Sequence, residues 1–415
     1  MPCNSPNRVF YTGINPETGK KLIFYTSRFV DYIWRRDPES PWQTARLPES
    51  QTQLHGTKNE AVYRNALNKL VAPPGGQLII DSDLVPCGQC IGCRLDYCRQ
   101  WATRCMLEAK DYPKGSCWFV TFTYDDEHLP EYGRDVKVNN YYLTRDVNNK
   151  EHRVKIDESK PFQYWKHIDD ELVNPITGEI KHPPLRSVSK KTHELLMKRI
   201  RKRYGDGIRF FMSGEYGDKS FRPHYHYLLF GIQFNDLVFY KRNWRGDLFY
   251  NSPSFERATW TDDKGDRLGY VVLSPLSFDN ANYVARYTLK KAKMIQKDEY
   301  KKLGIEPEFC LMSRKPGIGK EYFEDNYEYI YQTDEIILPG HDGAITVKPP
   351  SYYDTLYDKL DSESMDSVKD KRRCISDDAA YNLAYRNPGL DLEDVYESAN
   401  RRLQNKVIFK KKGEL

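Results

Sequence analysis

The sequence lacks any long hydrophobic run. Its 415 residues are 39% hydrophobic and 30% charged, and no apolar segment approaches the length of about 20 residues that a membrane helix needs. No apolar stretch follows residues 1–4, where a secretory signal would place one. We therefore expect a soluble, intracellular protein with no membrane partner.

Cysteine is sparse, and charge is nearly balanced. Nine cysteines, several of them clustered, do not make the disulfide framework of a small secreted protein. The net charge of +5 permits a nucleic-acid partner without requiring one. The 31 tyrosines interleave with lysine and arginine, a composition found on surfaces that stack bases and hold phosphates, although many will be core or turn residues.

A short aromatic segment, residues 222–230, carries two histidines. Its aromatic and branched side chains, with a proline near the start and a glycine after the end, predict a β-strand. Because side chains alternate across a strand, His224 and His226 should point to the same face. Two imidazoles so placed form half of a divalent-metal site. The alternative is an ordinary surface or hydrogen-bonded histidine pair, since short motifs match by chance.

The preceding segment, residues 207–215, predicts a second strand. A polar stretch containing a glycine follows it, so the two strands should form an antiparallel hairpin. A loop centred midway between the strands would place Glu215 opposite His224 and Ser213 opposite His226. The sequence therefore predicts a cluster of two histidines and one glutamate on a single face of a sheet.

Three cysteines in a Cys-x-x-Cys-x-x-Cys pattern lie within the segment at residues 85–93. Tight turns of this kind allow thiolates to approach one tetrahedral zinc ion at about 2.3 Å each. A glycine within each turn, at 88 and 92, can adopt the backbone conformations that such tight turns need and that other residues disfavour. We expect Cys87, Cys90 and Cys93 to bind a structural Zn²⁺, and an iron–sulfur cluster is the alternative.

A closed zinc site needs a fourth ligand, and Cys3 and Cys98 are the candidates. From residue 94 the sequence has helical periodicity, which places Cys98, Ala102 and Cys105 on one face. Cys98 is therefore explained as a small core residue, and this favours Cys3 as the ligand.

Residues 117–124 predict a buried strand with two different faces. Trp118 shares one face with apolar neighbours and suits a core, whereas Phe119, Thr121 and Thr123 share the other. The hydroxyl groups on that second face are suited to border a polar site.

A polar, turn-rich stretch at residues 125–188 has the character of an insertion between core elements. A helix is predicted over residues 187–203, and its last residues, Arg201, Lys202 and Arg203, are basic. They are candidates for contacts with the DNA backbone, and an ordinary solvated helix face is the alternative.

A second predicted helix, residues 282–291, carries two tyrosines and two lysines. Tyr283 and Tyr287 are four residues apart and so share a face, and Lys290 and Lys291 follow one turn later. Nearby positive charge favours the phenolate, which is the form that attacks phosphorus. We assign Lys290 to the catalytic set and Lys291 to DNA binding. Core packing is the alternative explanation for the paired tyrosines.

Taken in order, these motifs resemble the three motifs of HUH rolling-circle replication initiators of the two-tyrosine superfamily. The matching segments are Phe-Val-Thr-Phe-Thr at 119–123, His-Tyr-His at 224–226 and Tyr-x-x-x-Tyr-x-x-Lys at 283–290. The middle position of the histidine motif is tyrosine, where an aliphatic residue is usual. The segments at 85–94 and 312–319 resemble replication initiators of gokushovirus-type single-stranded DNA phages.

This resemblance implies a reaction. A divalent ion, Mg²⁺ or Mn²⁺, held by His224, His226 and Glu215 would polarise a DNA phosphate. Tyr283 or Tyr287 would attack it, leaving a 5′-phosphotyrosine link and a free 3′-OH. The second tyrosine would cut again after one round of copying, so that the strand is joined into a circle.

The resemblance also implies a fold and a division of the chain. The fold is α+β, with an antiparallel sheet of the HUH, ferredoxin-like or RRM-like, kind flanked by helices. We expect an N-terminal region with the cysteine-rich zinc segment at 1–110. An endonuclease core should follow at 111–300, interrupted by the insertion at 125–188. The region 301–415 has no assigned role.

The implied partners are single-stranded or supercoiled phage DNA at the replication origin and the host helicase and polymerase. The implied location is the cytoplasm of the bacterial host. Two alternatives stay open. One is a relaxase or transposase with the same chemistry, and the other is a non-enzymatic zinc-containing DNA-binding or packaging protein.

Overall fold

A computed structural model of the protein describes most of the chain. The described residues are 3, 6–17, 21–27, 30–45, 63–64, 70–72, 74–129, 131–132, 136–138, 141–145, 151–155, 185–217, 222–244, 246–262, 264–290, 306–340, 343–386, 389 and 395–403.

The strands, numbered in chain order, are β1 (Asn7–Ile14), β2 (Lys21–Ser27), β3 (Tyr32–Arg35), β4 (Gln43–Ala45), β5 (Tyr63–Arg64), β6 (Leu70–Val71), β7 (Gln77–Ile79), β8 (Ser82–Val85), β9 (Cys117–Tyr124), β10 (Glu131–Tyr132), β11 (Val136–Val138), β12 (Tyr141–Arg145), β13 (Glu151–Lys155), β14 (Leu185–Arg186), β15 (Arg209–Tyr216), β16 (Pro223–Phe230), β17 (Val238–Arg242), β18 (Leu248–Asn251), β19 (Gly269–Pro275), β20 (Phe309–Met312), β21 (Ile336–Gly340) and β22 (Gly343–Val347). The helices are α1 (Ile91–Glu108), α2 (Lys190–Tyr204), α3 (Pro253–Thr259), α4 (Phe278–Lys290), α5 (Lys320–Thr333), α6 (Ser351–Leu360) and α7 (Ser362–Arg386), with a 3₁₀ turn at Ala109–Asp111.

The chain divides into two compact units. The first consists of residues 1–97 and 373–415, and the second of residues 98–372. In the first unit, β2-β1-β8 and β4-β3-β7 form small antiparallel sheets. None of the helices among the described residues is long and apolar enough to cross a membrane.

The second unit is built on a seven-stranded sheet with the order β17-β18-β19-β9-β16-β15-β20. Every neighbouring pair is antiparallel. The β15–β16 hairpin has the predicted register, because Glu215 pairs with His224 and Ser213 pairs with His226. On its other side β16 pairs with β9, which places Thr121 opposite His226.

One face of this sheet packs against α2 and α3. Large side chains such as Phe122 and Tyr227 are fully buried there, and Leu196 and Ile200 of α2 lie in the same cluster, as predicted. The α2 helix begins where the side chain of Ser189 accepts hydrogen bonds from two backbone N–H groups in the first turn, a typical N-cap. The apolar positions of α2 thus form the stripe that covers the sheet.

The other face packs against α1 and α4. The cluster there contains Cys98, Ala102, Cys105, Phe119, Phe211, Leu228, Phe230, Ala281, Val284, Ala285 and Ile318. Cys98 is therefore a core residue, as its helical spacing predicted. The α4 helix begins four residues before the predicted start. There Ser277 and Asn280 cap each other, each backbone N–H donating to the other's side chain.

A third apolar cluster joins α5, α6, α7 and the β21–β22 hairpin to the end of α1. Arg372 pairs with both Asp334 and Asp354 beside it. The turn before α5 is fixed by buried Glu108, which pairs with Arg209 and accepts the backbone N–H of Gly319 at 2.6 Å. The segment at 312–319 is therefore tied to the sheet by a buried ion pair.

These elements confirm an α+β protein with an antiparallel sheet. The sheet also includes β20, which lies beyond residue 300 and pairs with β15. Assignment of the sheet to the HUH kind stays a prediction, as do the functional boundaries at 110 and 300.

Candidate metal and tyrosine site

The centre of the site is a buried pair, His226 and Glu215. Nε2 of His226 lies 2.7 Å from Oε1 of Glu215, and both side chains are almost fully buried. Nδ1 of the same ring lies 2.9 Å from the hydroxyl of Thr121. Because both ring nitrogens have polar partners, the orientation of this imidazole is fixed.

His224 lies on the same face, closer to solvent. Its Nδ1 is 2.6 Å from the backbone oxygen of Arg222. Since a carbonyl oxygen only accepts hydrogen bonds, Nδ1 is the donor in this contact and carries a ring proton. The rings of His224 and His226 are nearly parallel, at 11°, with centroids 6.3 Å apart.

Tyr283 contacts this cluster from α4. Its ring meets the imidazole of His226 edge-on, with centroids 5.2 Å apart, and meets Phe119 in the same way at 6.0 Å. Phe119 in turn stacks parallel to His226 at 5.6 Å. Tyr283 is 38% exposed, so this residue is not fully enclosed by the cluster.

The other predicted residues of this helix are only partly described. Tyr287 and Lys290 lie within α4, one and two turns after Tyr283. The positions of their side chains lie outside the described part of the structure, as does all of Lys291. Their assigned roles stay predictions.

The donor types on this face are ones that bind divalent cations, but among the described residues the four cysteines alone form a group whose ligand atoms all lie within 4.8 Å of one another. Two imidazoles and a carboxylate are donors that divalent ions such as Mn²⁺ accept, and the Thr121 hydroxyl at Nδ1 of His226 occupies the place of an outer partner that would orient the ring. His226 and Glu215 hydrogen-bond to each other directly. The three residues thus share one face, and two of them are in contact.

The four predicted cysteines come together in the first unit. The ligand atoms of Cys3, Cys87, Cys90 and Cys93 all lie within 4.8 Å of one another. Sγ of Cys3 is 3.6 Å from that of Cys87 and 3.7 Å from that of Cys90. Zinc–sulfur bonds of about 2.3 Å in a tetrahedron place sulfurs about 3.8 Å apart, so the spacing fits zinc. Cys3 joins the other three cysteines in this cluster, whereas Cys98 lies in the core, and zinc binding by the four thiols stays a prediction.

The local backbone supports these thiols. The N–H groups of Cys90 and Cys93 point at the sulfurs three residues before them, at 3.2 and 3.5 Å. Gly88 adopts the left-handed conformation, with φ of 69°, that the first turn requires. Burial raises the pKa of the Cys93 thiol, and neighbouring Cys3 adds to the shift. A bound cation would deprotonate such thiols outright.

The predicted basic DNA contacts lie elsewhere in the second unit. Arg201, Lys202 and Arg203 form the last turn of α2, which packs on the opposite face of the sheet from His226. Arg201 donates to the backbone oxygen of Ile208 at 3.5 Å. The structure therefore does not bring these three residues to the histidine face, and a DNA contact there stays a prediction.

Sequence reasoning missed the role of Phe119 and the carbonyl partner of His224. The alternation in residues 117–124 placed Phe119 on the polar face, yet its stacking on His226 depends on the pairing of β9 with β16, two strands that are distant in the chain. The carbonyl of Arg222 becomes a partner through the side-chain rotamer of His224, which no sequence pattern encodes.

These features define an α+β protein with an imidazole–carboxylate pair beside a helix-borne tyrosine and a separate four-cysteine site. The family model described as replication-associated protein ORF2/G2P matches residues 178–292, which include β15, β16 and α4. No solved structure matches the chain significantly.

Curated relatives extend the match. The chain is 33% identical to a replication-associated protein ORF2 of Spiroplasma virus 4 over 72% of this chain and 75% of the relative. It is 28% identical to a replication-associated protein VP4 of Bdellovibrio phage phiMH2K, over 66% and 67%. A replication-associated protein ORF4 of Chlamydia phage 1 is 29% identical over 41% of each chain. The chain belongs to this family of replication-associated proteins, which confirms the resemblance found in the sequence.

Proposed function

We propose that the protein starts rolling-circle replication of a phage genome by cutting one DNA strand and joining itself to the new 5′ end. The observation that carries this proposal is the contact of Tyr283 with His226, which is itself paired with Glu215. A nucleophile candidate thus lies beside the candidate metal ligands. The names of the relatives support a role in replication.

The proposed cut is a transesterification that needs no water or nucleotide cofactor. The Oη atom of Tyr283 attacks the scissile phosphorus, so a P–Oη bond forms while the bond from phosphorus to the 3′-oxygen breaks. The phenolic proton ends on that oxygen, giving the 3′-OH from which a polymerase extends. Mg²⁺ or Mn²⁺ at His224, His226 and Glu215 would polarise the phosphate.

The surrounding residues prepare this step. Thr121 and Glu215 hold the His226 ring from its two nitrogens, and Phe119 holds it from one face. Lys290 is proposed to favour the phenolate of a neighbouring tyrosine by its positive charge. Tyr287, one helical turn after Tyr283, would provide the second nucleophile that releases and circularises the copied strand.

The remaining assignments follow from the same proposal. The substrate would be single-stranded or supercoiled phage DNA at the origin, and the host helicase and polymerase would use the cut strand. The protein would therefore act in the cytoplasm of the bacterial host. The four cysteines would bind one structural Zn²⁺.

The deciding experiment compares tyrosine variants for covalent attachment. Wild-type protein with Mn²⁺ and a labelled single-stranded origin fragment should give a labelled band that survives denaturation. Tyr283→Phe and Tyr287→Phe should each still cut once but fail to circularise a strand, and the double variant should give no adduct. Phe keeps the ring and removes only the hydroxyl, and Tyr329→Phe on α5 is the matched control.

Three outcomes would contradict the proposal. A double variant that forms adduct at the wild-type yield would exclude both tyrosines as nucleophiles. Wild-type protein that binds the fragment but never becomes attached would favour the non-enzymatic DNA-binding alternative. Cutting confined to transfer sites or transposon ends would favour a relaxase or transposase.

A further inference from the structure

A row of four residues crosses the sheet from the candidate metal site to an exposed tyrosine. Glu215 pairs with His224, His224 pairs with Thr123 on β9, and Thr123 pairs with Tyr270 on β19. Directly paired residues share a face, so Tyr270 lies on the same face as the histidines. Two strand spacings separate Tyr270 from His224, a distance of about 10 Å.

Tyr270 is not a core residue. Its side chain is 57% exposed, whereas Val271, the next residue, is buried in the core on the opposite face. The guanidinium group of Arg267 lies over the Tyr270 ring, 5.3 Å from the centroid. An aromatic ring with a cation beside it, left open to solvent, is the combination that binds single-stranded nucleic acid.

The positions of both side chains are fixed by neighbouring contacts. Arg267 pairs with Glu256 at 2.6 Å, and its Nε donates to the backbone oxygen of Gly269 at 2.7 Å. At Gly269 a Cβ atom would lie 2.2 Å from the backbone oxygen of Thr123. The start of β19 is therefore in close contact with the end of β9. This close packing holds the backbone from which the Tyr270 side chain extends.

We propose that Tyr270 and Arg267 form a base-stacking subsite for single-stranded DNA, a few nucleotides from the phosphate at His224. This inference rests on the proposed function, because a strand that presents a phosphate to His224 must run along this face. The Tyr270 ring would stack on one base, and the Arg267 cation would add attraction to that base or to the adjoining phosphate.

Binding to labelled dT20 tests the subsite, because stacking tolerates any base. The parent protein carries Tyr283→Phe and Tyr287→Phe and is measured without added divalent ion, so that no adduct forms. Tyr270→Ala should weaken binding by about tenfold, and Tyr270→Phe should restore it because the ring returns. Tyr329→Ala removes an equally exposed tyrosine, at 58%, from α5 and should leave binding unchanged.

Arg267→Ala provides a second readout that keeps the ring, and it should weaken binding by about threefold. Binding by Tyr270→Ala equal to that of Tyr329→Ala would overturn the subsite, as would a parent protein that does not bind dT20. The adduct assay with wild-type protein is separate. If wild-type protein forms no adduct but Tyr270→Ala still weakens binding to dT20, the proposed strand cutting would be refuted while the proposed stacking subsite would be supported.

Discussion

Glu215 hydrogen-bonds to His226, although its partner in the strand pairing is His224. The two side chains meet at 2.7 Å across a diagonal of the β15–β16 hairpin, eleven residues apart in the chain. A diagonal neighbour is about 7–8 Å away between backbones, a distance that a glutamate side chain can span. The Glu215 carboxylate therefore lies near both histidines, because its residue pairs with His224 across the strands and its side chain hydrogen-bonds to His226.

Replacing the carboxylate at Glu215 should weaken metal binding without breaking the hairpin. Glu215→Gln keeps the shape and removes the charge, so the affinity for Mn²⁺ should fall by at least about tenfold in calorimetric titrations. His224→Ala and His226→Ala should abolish adduct formation, while thermal unfolding still shows a folded protein. Glu328→Gln on α5 is the control. A Glu215→Gln titration that overlays wild type would place the third ligand elsewhere.

The hydroxyl behind His226 should also affect metal affinity. Thr121→Val removes the 2.9 Å partner of Nδ1 and keeps the β-branched shape of the strand residue. We expect about tenfold weaker Mn²⁺ binding, because outer partners orient metal-bound histidines. Thr121→Ser restores the hydroxyl and should recover most of the affinity. Equal loss in both variants would point to packing rather than to the hydrogen bond.

The four-cysteine cluster predicts one zinc ion per chain in metal analysis of the purified protein. Cys90→Ser should lose the zinc and lower the unfolding temperature, because structural zinc adds directly to folding free energy. Cys374→Ser removes an exposed cysteine outside the cluster and should change neither property. Strong chelation should lower stability well before it blocks strand cutting. Purified protein with neither zinc nor iron would refute the site.

Two glycines near the start of β19 offer a matched test of its close contact with β9. Gly269→Ala would place a Cβ atom against the Thr123 carbonyl, so we expect a loss of about 3 kcal/mol or more in urea unfolding. Gly265 also has positive φ, at 92°, but has open space around it. Gly265→Ala should cost only about 1 kcal/mol. Similar costs for both variants would mean that β19 shifts to accommodate the extra atom.

A buried histidine should make stability depend on pH. Burial lowers the pKa of His193 from its ordinary value of about 6.5 to about 4, and its Nδ1 lies 2.8 Å from the hydroxyl of Tyr227. Between pH 6.5 and pH 4, His193 is therefore protonated in the unfolded chain but neutral in the folded protein. Stability is full above pH 6.5 and is lost as pH falls toward 4, by about 3 kcal/mol.

The measurement is the free energy of unfolding at pH 7 and at pH 4, for wild type and His193→Gln. The free energy of unfolding of His193→Gln should fall less between pH 7 and pH 4, by the amount that His193 contributes. The carboxyl groups titrate equally in both proteins and so cancel in the comparison. An identical pH dependence in the two proteins would show that His193 becomes protonated without cost in the fold.

The sequence predicted the local parts of the site well. A single hairpin set the register of Glu215 against His224, and alternation along β9 placed Thr121 on the polar face. Helical spacing identified Cys98 as a core residue, which left Cys3 for the metal cluster. Each of these inferences depends on periodicity or on loop length, which short segments determine.

The parts that the sequence did not predict depend on contacts between distant segments. β20 completes one edge of the sheet from beyond residue 300, and β19 pairs with β9 across more than a hundred residues. Neither pairing has a local pattern, so Tyr270 gave no signal in the sequence. The cluster around α5 and α6 is likewise assembled by tertiary packing, from a region for which the motifs suggested no role.

The central strand β9 constrains how this chain can vary. Its odd-numbered residues border the histidine site, and its even-numbered residues fill the core beneath α2. Deleting one residue from β9 would move Thr121 to the core face and Phe122 to the face of the histidine site, so it would disrupt both faces of the strand at once. A substitution changes only one of these two faces. Natural relatives should therefore differ within this strand by replacement and almost never by insertion or deletion, which alignment of many family members can check.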